Sequence, residues 1–565
     1  MTAASPYRQW RITPFDASRA GVLADAVGVP PLIAQLLLSR GIDAPEAMRD
    51  FLAPSLAQLT DPFELTDMGA AVERIRRARD RNESVLVFGD YDVDGIAAAA
   101  ILTRALSRFG LRQVLCDMPD RFSEGYGLTP ERVEQAHKDG HALLITVDNG
   151  IAAHDAAARA RALRLDLIVT DHHALGAQLP DALAVVNPKR DPPERATADL
   201  AGAGVALKLA TALTGTPHDL DIAALGTVSD IVPLLKENRV IAALGLKHMK
   251  KHQRLGIATL AQRARFHLSE VNAQKIAFQL GPRLNAAGRI DTGHAALELL
   301  MTEDEAQADA LARALDKANE DRRALEQAIF DEAVEMLDAF LDDEHRAIVV
   351  ARDDWHQGVI GIVASRLQLR YHRPVVVCCK SEDQLLRGSA RSGPGFDMMA
   401  ALSACDHCLR QYGGHVAAGG VTLEPDALDA FRAAFEAEVR RQIGTEPLRP
   451  LLQVDALVSL SQLDGEFMSA LECMAPFGQA NPEPVFCAMN VAVAARSLRV
   501  LKDQHLKFTV QQGAAACTAI GFRMAERYFV EPFPSRLDIV FTPQHNTFNG
   551  ATETQLVLKD MRPAQ

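Results

Sequence analysis

Apolar residues recur at helical spacing through the first eighty positions. PPLIAQLLLSRGI (30–42) and MGAAVERIRRARD (68–80) each predict a helix with one apolar face. From residue 85 the period shortens. VLVF (85–88), LLITV (143–147), LIVT (167–170) and LAVV (183–186) are short apolar runs, rich in β-branched residues. Helical stretches lie between them, such as AAAAILTRALSRFG (97–110) and HDAAARARALR (154–164). Strands alternating with helices predict βαβ units and a parallel sheet buried on both faces. Residues 303–342 lack Pro and Gly and predict one long helix, about 60 Å at 1.5 Å per residue. A second α/β unit comes next, with strands at AIVVA (347–351) and PVVVCC (374–379) and a helix at GVIGIVASRLQLRY (358–371). Glycine-rich turns lie beyond it, RGSARSGPG (387–395) and GGHVAAGG (413–420), and then a charged helix over 426–443. The short strand-like runs of the C-terminal part, VAVAARSLRV to ETQLVLKDMR, fit a small β-barrel of oligonucleotide-binding type.

The residues just after each strand of the first α/β unit are polar and specific. The runs end in GDYDVDG (89–95), Asp148-Asn149-Gly150, Asp171-His172-His173 and Asn187-Pro188. In open parallel sheets the ligand site lies beyond the carboxyl ends of the strands. That placement gathers Asp92, Asp94, Asp148, His172 and His173 around one crevice, and DIAALGTVSDIVPL (221–234) adds Asp230. Read as an extended segment, Asp90, Asp92 and Asp94 point the same way. Like charges this close raise one another's pKa unless a cation intervenes. An Asp-rich solvated turn would explain one such stretch alone, but not several at successive strand ends. Carboxylates with imidazole suit Mn2+ or Mg2+ better than structural zinc. Six candidate ligands exceed what one ion needs, and two ions about 3.5–4 Å apart are the expected arrangement for phosphoester hydrolysis.

Composition narrows the class without naming the reaction. A chain of 565 residues is too long for one core, so three or four domains are expected. Its 48% apolar and 24% charged residues are those of a globular protein. No apolar run is long enough to cross a membrane, and MTAASPYRQWRITPFD has no apolar core of signal-peptide kind. A cytoplasmic protein is expected. The net charge of −13 excludes a uniformly basic coat but not nucleic acid, because local patches steer ligands and metals neutralise acids. Of eight cysteines, only Cys405 and Cys408 form a C-x-x-C. With no second pair at suitable spacing, they read as reduced thiols rather than a zinc site.

The ordered set of motifs carries a resemblance. GDYDVDG, PDRFSEGYGL (119–128), VDNGI (147–151), DHH (171–173), GTVSDIVPL (226–234), GPRLNAAGRI (281–290), WHQGVIGIVASRL (355–367), GGHVAAGG and PFGQANPEP (476–484) resemble the blocks of the DHH phosphoesterase superfamily, in order. Within it they resemble the bacterial exonucleases specific for single-stranded DNA. Any one block is only moderately specific, whereas the ordered set is highly so.

The resemblance implies a parallel-sheet DHH catalytic domain, a long connecting helix, a second α/β (DHH-associated) domain and a C-terminal OB-type barrel. The expected boundaries are 1–80 (helical region), 81–302 (catalytic), 303–345 (connecting helix), 346–447 (substrate-binding) and 448–565 (OB fold). It implies Asp92, Asp94, Asp148, His172 and Asp230 as ligands of two Mn2+ or Mg2+ ions, with Asp90 a motif carboxylate beside them. His173 matches a histidine that contacts the scissile phosphate, with Asp171 orienting a histidine ring. Related pyrophosphatases have His where this chain has Phe88. Arg121, Ser389 and Arg391 match positions that hold a 5′-terminal phosphate, for which a guanidinium fork and a hydroxyl are well suited. Arg283 and Arg289 are candidates for backbone phosphates, and His415 for the substrate path, with a core histidine as its alternative. Phe508, Phe522 and Phe548 are candidates for base stacking or for the barrel core.

The implied activity is 5′-to-3′ digestion of single-stranded DNA to mononucleotides by a monomer. A single-strand-binding protein and a helicase are the implied partners. Removal of the barrel beyond about residue 450 is expected to weaken long-strand binding more than chemistry on short strands. The alternatives are a DHH phosphoesterase for short oligonucleotides or pyrophosphate, and a scaffold that binds single strands without cutting.

Overall fold

The computed structural model describes residues 8–119, 127–290, 293–339, 341–342, 344–381, 383–444, 451–529, 532–548 and 551–564. The side chains of 287–290, 547–548 and 551–552 lie outside that description. The chain forms two compact units. The first comprises residues 1–285, 293–313 and 451–565, and the second 286–292 and 314–450. One of the boundaries falls inside the helix Glu305–Asp338, which matches the long helix expected from the sequence.

In the first unit, strands β1 (Val85–Phe88), β2 (Val114–Asp117), β3 (Leu143–Val147), β4 (Asp166–Thr170) and β5 (Ala184–Val186) form one parallel sheet in the order β2-β1-β3-β4-β5. The β-branched residues of β1 and β3 are wholly buried, as a sheet covered on both faces requires. β2 has no counterpart among the strands expected from the sequence. It is an edge strand whose VLCD leaves Leu115 54% exposed, so it lacks the apolar signature of its neighbours. Helix α1 (Val93–Phe109) begins four residues before the expected 97, capped by Asp92 and closed by Gly110 in the left-handed conformation. It packs on α2 (Gly202–Thr214) and α3 (Leu220–Ser229) through small residues, Ala97 to Ala100 being wholly buried.

The N-terminal helices and the C-terminal barrel belong to this same unit. Leu23, Ile33, Leu36, Leu37, Met48 and Phe51 share one apolar core with Phe467, Phe486, Phe508 and Phe541. Strand Gln9–Ile12 pairs in parallel with Leu451–Val454, and Trp10 Nε1 donates to Asp560 at 2.7 Å. The barrel is therefore not a detachable module. Its removal would open a core made jointly with residues 17–52, which revises the outcome expected for the truncation.

The second unit carries a five-stranded mixed sheet of β6 (Ile348–Arg352), β7 (Val375–Lys380), β8 (Leu386–Arg391), β9 (Gln411–His415) and β10 (Ala418–Leu423), ordered β9-β10-β8-β7-β6. Only β6 and β7 run parallel, joined by helix α4 (Gln357–Tyr371). In the first unit, β11 (Phe486–Val493), β12 (His505–Gln512), β13 (Ala515–Gly521), β14 (Arg536–Phe548) and β15 (Ala551–Pro563) close a barrel, because β11 pairs with both β14 and β12. Among the described residues no single helix is long and apolar enough to cross a membrane.

Candidate active site

The loops after β1, β3 and β4 converge as the open-sheet rule predicts, but not through strand alternation. The chain leaves β1 and enters α1 within five residues, so the three aspartates serve different positions. Asp92 is the N-cap, its Oδ1 accepting from the backbone N–H of Asp94 (2.9 Å) and Gly95 (3.0 Å). Asp94 lies in the first turn of α1, where its oxygens accept from the first N–H groups of α2, Gly202 (2.6 Å) and Ala203 (2.9 Å). Asp90 is 3% exposed, and its carboxylate accepts from Tyr91 N–H. Asp148 lies just beyond β3 in a left-handed conformation, φ +62°, one that asparagine and aspartate tolerate best. Asp230 caps the C-terminus of α3.

These groups form one cluster. Oxygens of Asp90, Asp92 and Asp148 lie within 4.8 Å of one another, as do ligand atoms of Asp94, His172 and Asp230. His172 Nε2 stands 3.1 Å from Asp148, 3.6 Å from Asp230 and 3.8 Å from Asp94. That nitrogen is buried and makes no hydrogen bond. Burial pulls the His172 pKa down to about 4, with His173 adding to the effect, so the ring is neutral at pH 7. Burial pushes Asp94 up to about 7, with Asp92 adding, and Asp230 up to about 9, with Asp94 and Asp92 adding. Asp148 is raised well above the carboxylate range by burial and by Asp94, Asp92 and Asp90. An orphaned neutral imidazole facing crowded carboxylates fits a multivalent cation.

Asp171 has a different task. Its Oδ1 accepts from the backbone N–H of His172 (2.7 Å) and His173 (3.1 Å), and its Oδ2 from Ile151 N–H (2.9 Å). The same Oδ1 lies 2.8 Å from His173 Nδ1. With so many donors Asp171 is a positioning residue that fixes His173. Burial opposes a charge on His173, but the Asp171 hydrogen bond and charge outweigh it and raise the pKa.

Two close approaches have no signal in the sequence. A Cβ at Gly202 would lie 2.6 Å from the Asp148 side chain, and one at Gly226 2.5 Å from Asp94 Oδ1. Both glycines let backbone reach the carboxylates. Asn285, in GPRLNAAGRI, is a further residue that the motifs alone do not single out. Its Oδ1 accepts from Val93 N–H (3.0 Å) and ties that motif to the start of α1. Phe88 packs in the core beside Leu128 and Val133. Arg283 Nη1 donates to the Gln279 carbonyl at 2.8 Å. Arg121 lies outside the described residues, as does the side chain of Arg289.

In the second unit, Arg391 and Ser389 sit on β8, with Arg391 Nη1 2.9 Å from Ser389 Oγ. A Cβ at Gly361 of α4 would lie 3.0 Å from Ser389 Oγ and 3.1 Å from Arg391 Nη2. Burial lowers the Arg391 pKa. Half-buried, it pairs with no carboxylate among the described residues. Arg391 pairs with Ala418, and Ala418 with His415 across the hairpin, so Arg391 and His415 occupy one cross-strand row. His415 is exposed, so the core alternative does not hold. In the barrel, Phe508 is 1% exposed and belongs to the core, whereas Phe522 is 56% exposed. The Phe548 side chain lies outside the described residues. All eight cysteines are free, and Cys405 and Cys408 are buried among apolar side chains.

The parallel sheet, the Asp/His cluster at its carboxyl end and the second α/β unit define a metal-dependent phosphoesterase of the DHH class. Family models agree: the DHH family N-terminal domain matches residues 84–227, the DHHA1 domain 344–441 and the RecJ OB domain 454–560. The chain belongs to the RecJ family. It is 37% identical to the single-stranded-DNA-specific exonuclease RecJ of Bacillus subtilis, over 98% of this chain and 70% of that protein. With the Escherichia coli protein of that name it shares 32% identity, over 95% of this chain and 96% of that one. Thermus thermophilus RecJ in complex with Mn2+ superposes with a TM-score of 0.84 at 29% identity, covering all of this chain and 80% of that one. The complex of the same protein with Mg2+ gives 0.78 at 27%, covering 99% and 79%.

The raised carboxylates predict a pH-dependent metal effect on stability. A folded pKa above the unfolded value favours the fold at low pH, and that stability is lost as pH rises through the folded pKa. For Asp94 and Asp230 the loss runs from about pH 4 through about 7 and about 9. Metal-free protein should therefore melt lower as pH rises from 5 to 8.5, and saturating Mg2+ should raise the melting temperature more at 8.5 than at 5. Thermal melts with EDTA or Mg2+ at both values check this. An Mg2+ shift of equal size at both would refute the crowded-carboxylate account.

Proposed function

We propose that this chain is a metal-dependent exonuclease specific for single-stranded DNA, acting in DNA recombination and repair. It digests the strand from its 5′ end and releases 5′-mononucleotides. The observation that carries the reading is His172 Nε2, buried, unbonded and facing three carboxylates. Asp92, Asp94, Asp148, His172 and Asp230 hold two divalent ions, and Asp90 completes the cluster. When bound, such ions supply a nucleophile at neutral pH and neutralise charge at the scissile phosphate.

The chain's own groups do the rest. His173 donates from Nδ1 to Asp171, whose charge raises its pKa and favours the imidazolium; the Nε2–H of that imidazolium donates a hydrogen bond to a phosphate oxygen as negative charge develops there. Ser389 and Arg391 hold the 5′-terminal phosphate, with Arg121 joining them on the strength of its motif. Arg283 and Arg289 bind backbone phosphates, and His415 lines the strand's path. A single-strand-binding protein and a helicase are the partners this reading implies. A cytoplasmic monomer is its working form.

The test is a time course on long single-stranded DNA in Mn2+, labelled at the 5′ end in one sample and the 3′ end in another. Labelled mononucleotide should leave the 5′ end at once, while the 3′ label stays in long strands. Release from the 3′ end first would keep the metal chemistry and remove the polarity argument. Tight binding without release would favour the scaffold.

A further inference from the structure

The two most exposed large apolar side chains among the described residues are Phe278 (78% exposed) and Ile231 (70%). Apolar residues scattered singly over a surface need no explanation. These two share a place and each has an unusual backbone. Ile231 directly follows Asp230 and has φ +61°, a strained conformation for a β-branched residue. Phe278 lies in a single turn of π-helix, Ile276–Leu280, a rare geometry that recurs at functional sites. The two segments meet at one seam of the first unit. Gly281, which ends the π turn, packs so closely on Ser229 that a Cβ would come within 3.0 Å of its Oγ, and Ser229 immediately precedes Asp230. Thus the seam is one residue from a carboxylate of the metal cluster, and an apolar side chain stands exposed on each of its segments.

We propose that Phe278 and Ile231 form an apolar platform for the nucleobases beside the scissile phosphate, Phe278 stacking on one base and Ile231 packing against the neighbouring nucleotide. The proposal deepens the nuclease reading and rests on it. The chemistry suits an enzyme that must accept every base in turn, because every base has an apolar face and stacking is tolerant of sequence. It also explains the strain at Ile231: the fold keeps a β-branched side chain where glycine would relax the backbone.

The test crosses protein with substrate. Full-length wild type and the combined Phe278→Ala/Ile231→Gly variant are assayed in Mn2+ on two 5′-phosphorylated single strands. One carries ordinary nucleotides and the other tetrahydrofuran abasic sites over its 5′-terminal positions. For the wild type, losing the bases should raise KM about tenfold or more, since stacking is worth about 1–3 kcal/mol per base. For the variant, KM on the ordinary strand should rise to the abasic level and not rise again on the abasic strand. Retention of the Mg2+-dependent melting shift shows that the variant is folded. A variant that keeps the wild-type KM on ordinary DNA, or that loses the same factor on both strands, would overturn the platform. A wild type that cuts neither strand would overturn the nuclease reading itself, and the platform with it.

Discussion

Asp94→Ala should lower turnover of single-stranded DNA by about a thousandfold or more, the scale of losing several kcal/mol of charge stabilisation at the reacting centre. Binding to long strands should persist, because the binding groups proposed elsewhere in the chain stay intact. The structure adds a complication that the motif does not show. Asp94 also accepts from the first two N–H groups of α2, so the alanine variant should lose about 1–2 kcal/mol of stability as a lost cap. Asp230→Asn separates the two effects. Asp230 faces His172 Nε2 at 3.6 Å but stands at the C-terminus of α3, where it satisfies no helix N–H. It should lose activity on the same scale with its melting temperature in EDTA unchanged or raised, since burial and Asp94 disfavour its charge. Rates on a 5′-labelled strand, strand affinity and thermal melts together decide the matter. Normal turnover in either variant would remove that residue from the metal cluster.

Where the chain's chemistry is local, the sequence is legible. Four sheet strands appear as buried apolar runs, and the polar residues at their carboxyl ends mark the crevice without any structure. What fails is geometry that depends on where the backbone turns. Asp90, Asp92 and Asp94 read as one row of an extended segment, yet α1 starts at Val93 and turns Asp94 toward α2. β2 is missed because an edge strand need not be apolar. Gly202 and Gly226 carry no local signal, since their purpose is set by carboxylates more than fifty residues away. The joint core of residues 17–52 with the barrel is hidden for the same reason. Each stretch displays an apolar face, but nothing in either names a partner some 400 residues distant. The family resemblance supplies candidate roles. The distances around His172 Nε2 supply the physical reason a cation belongs there.

Arg239→Ala should be the most damaging substitution for stability, at about 3–5 kcal/mol. Arg239 is 2% exposed. Its Nε donates to the Phe51 carbonyl (2.7 Å), Nη1 to Met474 (2.9 Å), and Nη2 to Cys473 (2.9 Å) and Ala475 (3.0 Å). The guanidinium carbon also lies 3.6 Å from the centre of the Phe51 ring. One side chain thus joins the N-terminal helices, the helix after Asp230 and the segment that leads into the barrel. Alanine would remove the donor from the buried Phe51 carbonyl and from three carbonyls of 473–475, of which Met474 would keep only Asn481 Nδ2. Lysine should rescue little, because one compact ammonium cannot span the fork that a planar guanidinium fills. Activity should fall with stability, since Leu234 N–H, four residues beyond Asp230, donates to the Gln479 carbonyl of the same segment at 2.8 Å. Thermal and urea melts in Mg2+, with turnover on short and long strands at a temperature where the variant is still folded, measure both effects. The joint core requires that a chain ending at residue 450 behave like this variant and worse, losing short-strand chemistry along with long-strand binding. A truncated chain that melts normally and still cuts short strands would show that the barrel contributes binding alone and that these four hydrogen bonds contribute little to the catalytic unit.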